Sequence, residues 1–92
     1  MLTDYSTPEI VYKKARHIFG SDVEIKPSTR KDKKYMLLNP ETNKWVHFGQ
    51  YGMPDYTKHK NNDRMMKFRT RNNRWAKANE YSPAFLSYWL LW

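Results

Sequence analysis

The period of the hydrophobic positions changes along the chain, and each change marks an element. In "STPEIVYKKARHIFG", Val11, Ala15, Ile18 and Phe19 fall on one face of a helical turn, with Lys13, Arg16 and His17 on the other. Ser6 or Thr7 can cap this segment, Pro8 suits the first helical position, and Glu9 stands three residues after Ser6, as in a capping box. Gly20 suits the stop, so the pattern predicts a helix within residues 1–20. From residue 22 the period drops to two. Val23 and Ile25 alternate with charge ahead of Pro27, which predicts a short strand, and residues 28–34 read as a polar loop. Two β-prone runs then flank "NPETN", a cluster of turn formers. Tyr35 and Leu37 share one face of the first run, and Met36 and Leu38 the other; the second run splits Trp45 and His47 from Val46 and Phe48. The expectation is a small antiparallel hairpin or three-stranded sheet over residues 22–48, with one face packed on a helix.

After Phe48, "GQYGMP" interrupts regular structure. A helical pattern resumes near Asp55, with a joint at the "NND" of 61–63, where Asn61, Asn62 or Asp63 can cap a second helix running to about Ala78. The closing "YSPAFLSYWLLW" begins a further helix at Ser82 and Pro83. The predicted class is α+β in one domain of 92 residues: helix at 1–20, β region at 22–48 and a basic helical region at 54–92. No internal repeat or low-complexity tract divides it.

Composition narrows the picture. A chain this short buries roughly 60% of its unfolded surface, so its stability margin is thin. With no cysteine, disulfides and thiolate zinc sites are excluded, while aromatic residues, at 16%, supply much of the core material. The opening "MLTDYSTPEI" has neither the basic nor the apolar region of a secretory signal, and the apolar segment from Ala84 to Trp92 is too short to span a bilayer. An intracellular or intravirion location with no membrane span is expected.

The net charge of +8 favours an anionic partner, and its placement says more than its size. Residues 58–77 hold eight bases and the single acid Asp63, a local charge of +7. Lys60, Arg64, Lys67, Arg71 and Arg74 follow steps of four, three, four and three. On one continuous helix they lie within an arc of roughly 80°. Like charges at these spacings repel, and an anion facing the stripe relieves the repulsion. Phosphates of double-stranded DNA or carboxylates of a protein neighbour both qualify, and arginine's planar fork suits either. A solvated face is the plainer alternative.

"WVHFGQYGMPDYTKHK" holds residue types found in active sites. His47, Asp55 and His59 are the only nearby set of candidate metal ligands. Asp55, however, stands where a helix cap is needed, and each histidine reads as structural or exposed. Gly49 and Gly52 read as positions of positive φ, with Tyr51 and Tyr56 packed over the turn. A ββα-metal nuclease would need a histidine base with helix ligands, and His59, Asn62 and Asp63 lack the spacing. No other nucleophile–base order or phosphate-binding glycine loop appears, so no catalytic residue, metal or cofactor is assigned and a non-enzymatic role is expected. In the tail only Ser87 is polar after Pro83. Phe85, Tyr88, Trp89 and Trp92 are therefore either core or anchors for a partner.

The stretches "KKYMLLNPETNKWVHFG", "DYTKHKNNDR", "RTR" and "SPAFLSYWLLW" occur in an order that resembles a family of small basic proteins of large double-stranded DNA viruses, over about residues 33–92. That family's Arg-His pair at the end of the basic helix stands here as Arg71-Asn72. The resemblance implies a viral setting and a virion role, and transfers no catalytic residue. The expectation is a virion structural protein, a minor capsid or capsid-associated component, docked on neighbouring shell proteins through the aromatic tail and hairpin. Its basic stripe then faces an acidic capsid surface or the packaged genome. The alternative is a sequence-nonspecific protein that binds the viral genome.

Overall fold

The run with the clearest two-residue period, β2 (Lys33–Asn39), is the centre of a three-stranded antiparallel sheet between β1 (Ile25–Pro27) and β3 (Lys44–Gln50). The computed structural model describes residues 1–92. The fold is α+β: the sheet is accompanied by α1 (Pro8–Phe19), α2 (Tyr56–His59), α3 (Asn62–Arg71) and α4 (Pro83–Leu86). A 3-10 turn at Leu2–Asp4 precedes α1 and another at Asn73–Lys77 follows α3. The last element, α4, continues into a π-helical turn at Ser87–Leu91.

Register follows the alternation. Tyr35 faces Phe48 and Leu37 faces Val46, while Met36 faces His47 and Leu38 faces Trp45. The first set belongs to the core and the second covers the other face. Asn43 closes the hairpin turn with φ of 59°, and its N–H donates to the Asn39 carbonyl at 2.8 Å. Asparagine tolerates that left-handed backbone better than most residues. The first strand begins later than its pattern predicts, with Val23 packing on the core from outside it. Pro27 is tolerated because β1 is an edge strand. Lys33 and Lys34, expected in the loop, belong to β2.

Eight buried side chains form one core: Val11 and Ala15 of α1, Tyr35, Leu37 and Phe48 of the sheet, and Leu86, Leu90 and Leu91 of the tail. The π-helical turn accounts for the tail's contribution, since its wider repeat brings Leu91, five residues after Leu86, to the same side. Each buried leucine is worth about 1.5–3 kcal/mol relative to exposure. In α1, Ile18 remains 38% exposed although the pattern puts it on the apolar face. Phe19 packs there instead, stacked on Tyr81 at 5.3 Å.

A buried polar cluster ties the amino-terminal segment to α2. The expected capping box is not formed, because both hydroxyls reach across the fold. Thr7 Oγ1 donates to the Thr57 carbonyl at 2.6 Å, and Ser6 Oγ lies between Tyr35 Oη at 2.7 Å and Thr57 Oγ1 at 3.2 Å. Thr57 Oγ1 in turn donates to Asp55 Oδ1. Asp55 caps α2 as its position predicts, accepting from the Thr57 N–H at 3.0 Å. Its second oxygen accepts from Lys34 Nζ at 3.0 Å, in a pair that is almost entirely buried. Breaking such a pair from one side costs about 3–5 kcal/mol. Burial holds the Lys34 ammonium below the ordinary lysine range, with the Asp55 charge acting in the opposite sense.

Gly49 permits the close approach of the tail to this region. Its φ is +82°, and a Cβ there would lie 2.8 Å from Leu91 Cδ1 and 3.2 Å from Lys34 Cβ. Gly52 also has positive φ, at +98°, but faces open space.

Candidate functional site

The basic helix is shorter than its pattern predicts, and the reason lies in two asparagines. Asn61 starts α3 by accepting from the Arg64 N–H at 3.1 Å. At the other end Asn72 donates both its N–H, at 3.0 Å, and its Nδ2, at 3.1 Å, to the Phe68 carbonyl. This local side-chain bond competes with helix propagation. The helix stops at Arg71 rather than near Ala78, and residues 73–77 form the tighter 3-10 turn. Lys60 lies before the helix in a left-handed conformation, with φ of 54°, as the C-cap of α2. One continuous stripe of five cations therefore does not exist. Arg64, Lys67 and Arg71 remain together on one face, while Lys60 and Arg74 stand on separate turns.

Those three cations line a groove of about 820 Å³, in which they are joined by Lys33 and Lys34 of β2. No aspartate or glutamate lines it. Lys34 is neutralised by Asp55, but Arg64, Lys67, Arg71 and Lys33 have no ion-pair partner, the molecule's two ion pairs being Lys34–Asp55 and Met1–Asp4. Aromatic rings share the groove with the charges. Phe68 and Trp92 stack at 4.4 Å with planes 8° apart, and Trp75 meets Phe68 edge-on at 5.8 Å. Polar hydrogen-bonding groups come from Gln50, Asn72, Ser82 and Ser87. The volume falls in the range that encloses small organic ligands.

Arg69, between these cations in sequence, points elsewhere. Its Nη2 donates to the Trp92 main-chain oxygen at 2.9 Å and its guanidinium lies 5.4 Å from the Tyr88 ring centroid. It holds the tail in place instead of facing an anion. His59 is packed 5.3 Å from Trp92, and its Nδ1 accepts from the Asn61 N–H at 2.9 Å, which puts the proton of the neutral ring on the buried Nε2. Burial, reinforced by the Arg64 charge, pushes the His59 pKa below the usual histidine value.

The catalytic residue types noted in the sequence are engaged separately. His47 Nδ1 and Ser28 Oγ share a hydrogen bond at 2.7 Å, and the same hydroxyl oxygen accepts from the Arg30 N–H at 3.0 Å. Burial, then the Arg30 charge, lowers the His47 pKa. Asn62 accepts from the Tyr56 hydroxyl at 2.8 Å. No three of the histidines, aspartates and glutamates come together as metal ligands. Of the tail aromatics, Trp92 belongs to the groove. Phe85 packs on the core, and Tyr88 lies 5.1 Å from Trp89. Trp89 is 37% exposed, with its Nε1 donating to the Ala76 carbonyl at 3.2 Å. Lys33, Gln50 and Trp75 carry no signal in the sequence that marks them for this site. They come from three separate elements, and only the fold brings them to α3.

Fold and site together define a small α+β protein with a cationic groove, free of aspartate and glutamate, whose lining includes aromatic rings. Residues 23–72 match the "family of unknown function (DUF5754)", and the chain belongs to that family. The matched stretch carries the sheet, α2 and α3, and with them Lys33, Arg64, Lys67 and Arg71. No curated protein and no solved structure matches the chain.

Proposed function

We propose that this protein is a non-enzymatic, sequence-nonspecific nucleic-acid-binding protein, and that it works on the genome of a large double-stranded DNA virus within the virion. The observation that carries the binding role is the groove: four cations without counter-ions, no acid, and aromatic rings among them. Phosphate neutralisation releases counter-ions and suits such a surface, while the rings offer stacking platforms to bases or sugars. The viral and virion setting rests on the resemblance described above. Docking on shell proteins through the whole tail is less favoured, since three of its leucines are buried and Trp92 is stacked on Phe68. No helix is long and apolar enough to cross a membrane.

The test is the salt dependence of binding. Affinity for a mixed-sequence oligonucleotide is expected to fall linearly on a log–log plot against salt. Replacing Arg64, Lys67 and Arg71 with glutamine lowers the slope by about 0.7–0.9 for each phosphate that is no longer neutralised. Replacing Lys60 and Arg74 changes it less. Salt-insensitive binding, or equal effects of the two variants, rejects the groove as the site. Mass spectrometry of purified particles that detects none of this protein rejects the virion setting.

A further inference from the structure

A second cleft, of about 470 Å³, opens beside the first, between the amino-terminal segment and the loop joining β1 to β2. It is lined by Arg30, Lys31 and Tyr51, and again by no acid. Lys33 and Lys34, at the start of β2, line both clefts. Arg30 and Lys31 are exposed and without ion-pair partners. The loop that carries them has a fixed shape. Ser28 links the Arg30 N–H to His47, and the Tyr51 N–H donates to the Asp32 carbonyl at 3.0 Å. Tyr51, 36% exposed, is braced edge-on by Tyr5 at 5.2 Å.

We infer that the two clefts form one track for a single strand of nucleic acid, running from Arg71, Lys67 and Arg64 across Lys33 to Lys31 and Arg30. This deepens, and rests on, the nucleic-acid reading of the first groove. Charge complementarity selects a polyanion, and the adjacency of two acid-free linings on either side of Lys33 and Lys34 selects an extended one. The single strand is selected by the rings. Phe68, Trp75 and Trp92 line one cleft and Tyr51 the other; since Phe68 and Trp92 are stacked on each other, half-buried Trp75 and exposed Tyr51 are the rings offered to unpaired bases. A duplex keeps its bases stacked inside and presents a convex ridge of phosphates, so it meets only the cations at the rim. Nonspecific single-strand sites commonly combine a cationic channel with aromatic platforms in this way.

The experiment compares oligodeoxyuridine, oligouridine and a duplex, each on the order of a dozen nucleotides long, by fluorescence anisotropy across a salt series. The native chain is compared with Arg30→Gln/Lys31→Gln and with Lys13→Gln/Arg16→Gln, a control on the exposed side of α1 outside both clefts. The expected result is tighter binding of single strands than of duplex, with quenching of tryptophan fluorescence. The loop variant lowers the single-strand salt slope by about 1.4, corresponding to two phosphates, and the α1 variant leaves it unchanged. Either single strand behaving so supports the track, and the tighter of the two identifies the sugar. An unchanged slope in the loop variant overturns the track and leaves the first groove's role standing. Duplex binding equal to or tighter than single-strand binding overturns the single-strand assignment alone. Absence of binding to every nucleic acid overturns both readings.

Discussion

Tyr35, Ser6 and the neighbouring Asp55 and Thr57 come from three separate parts of the chain, yet the hydroxyl protons among them point one way. Tyr35 donates to Ser6, Ser6 to Thr57, and Thr57 to the Asp55 carboxylate, which also accepts from Lys34. Bonds aligned in this sense polarise one another, and the carboxylate terminates the chain with the strongest acceptor available. Burial pushes the Tyr35 phenol far above the usual tyrosine value, with the Asp55 charge adding to the shift. A raised folded pKa stabilises the fold fully below the unfolded value of about 10, and that stability is lost as pH climbs through the folded one. Urea unfolding midpoints are therefore expected to drop above about pH 10. Tyr35→Phe costs about 0.5–1.5 kcal/mol at neutral pH by removing the hydrogen bond to Ser6 and flattens the alkaline drop. Some slope remains from Tyr12, which burial also raises. A Tyr35→Phe profile parallel to that of the native protein contradicts this assignment. The sequence reveals Asp55 as a cap because a cap is a local signal. Apart from the local Thr57–Asp55 bond, the partners of the cluster lie 21 to 51 residues apart, and no short-range pattern connects them.

At the scale of elements, the hairpin was legible because strand alternation and turn chemistry agree on one register. The α+β class followed from the same changes of period. The bounds of α1 fall where its pattern puts them, but three other features were not legible, each for a different reason. The hydroxyls of Ser6 and Thr7 suit a cap but bond to Thr57, and the break after Arg71 depends on the Asn72 side chain choosing the Phe68 carbonyl. The tail's apolar pattern hid which side faces inward, because a π-helical turn does not keep the 3.6-residue period. Its packing makes a sharp demand on β3. Gly49→Ala combines backbone strain of about 1–3 kcal/mol with a Cβ driven against Leu91 and Lys34. Gly52→Ala carries strain of the same kind in open space. The expected order in urea midpoint is native, then Gly52→Ala, then Gly49→Ala. Because Gly49 also lines the groove, its variant is expected to weaken nucleic-acid binding, whereas Gly52→Ala leaves binding close to native.

For the whole molecule, the charge that favours an anionic ligand also strains the unliganded fold. A net +8 is held in a body of 36 × 30 × 23 Å with only two ion pairs. The Debye length is about 30 Å at 0.01 M salt and about 3 Å at 1 M. At low salt nearly every cation thus feels the others, and at high salt almost none does. Stability of the free protein, followed by urea unfolding, is therefore expected to rise with salt, while affinity for nucleic acid falls over the same range. On the proposed function, bound nucleic acid is expected to reverse the low-salt weakness, adding about 2.7 kcal/mol when present at a hundred times its Kd. Glutamine at Arg64, Lys67 and Arg71 removes neighbouring repulsions worth about 0.2–0.5 kcal/mol per pair. That triple variant is expected to be more stable than the native chain at low salt, less responsive to salt, and weaker in binding. A triple variant that is less stable at low salt would mean that these cations are stabilised within the fold, and their claim to an external phosphate would fail.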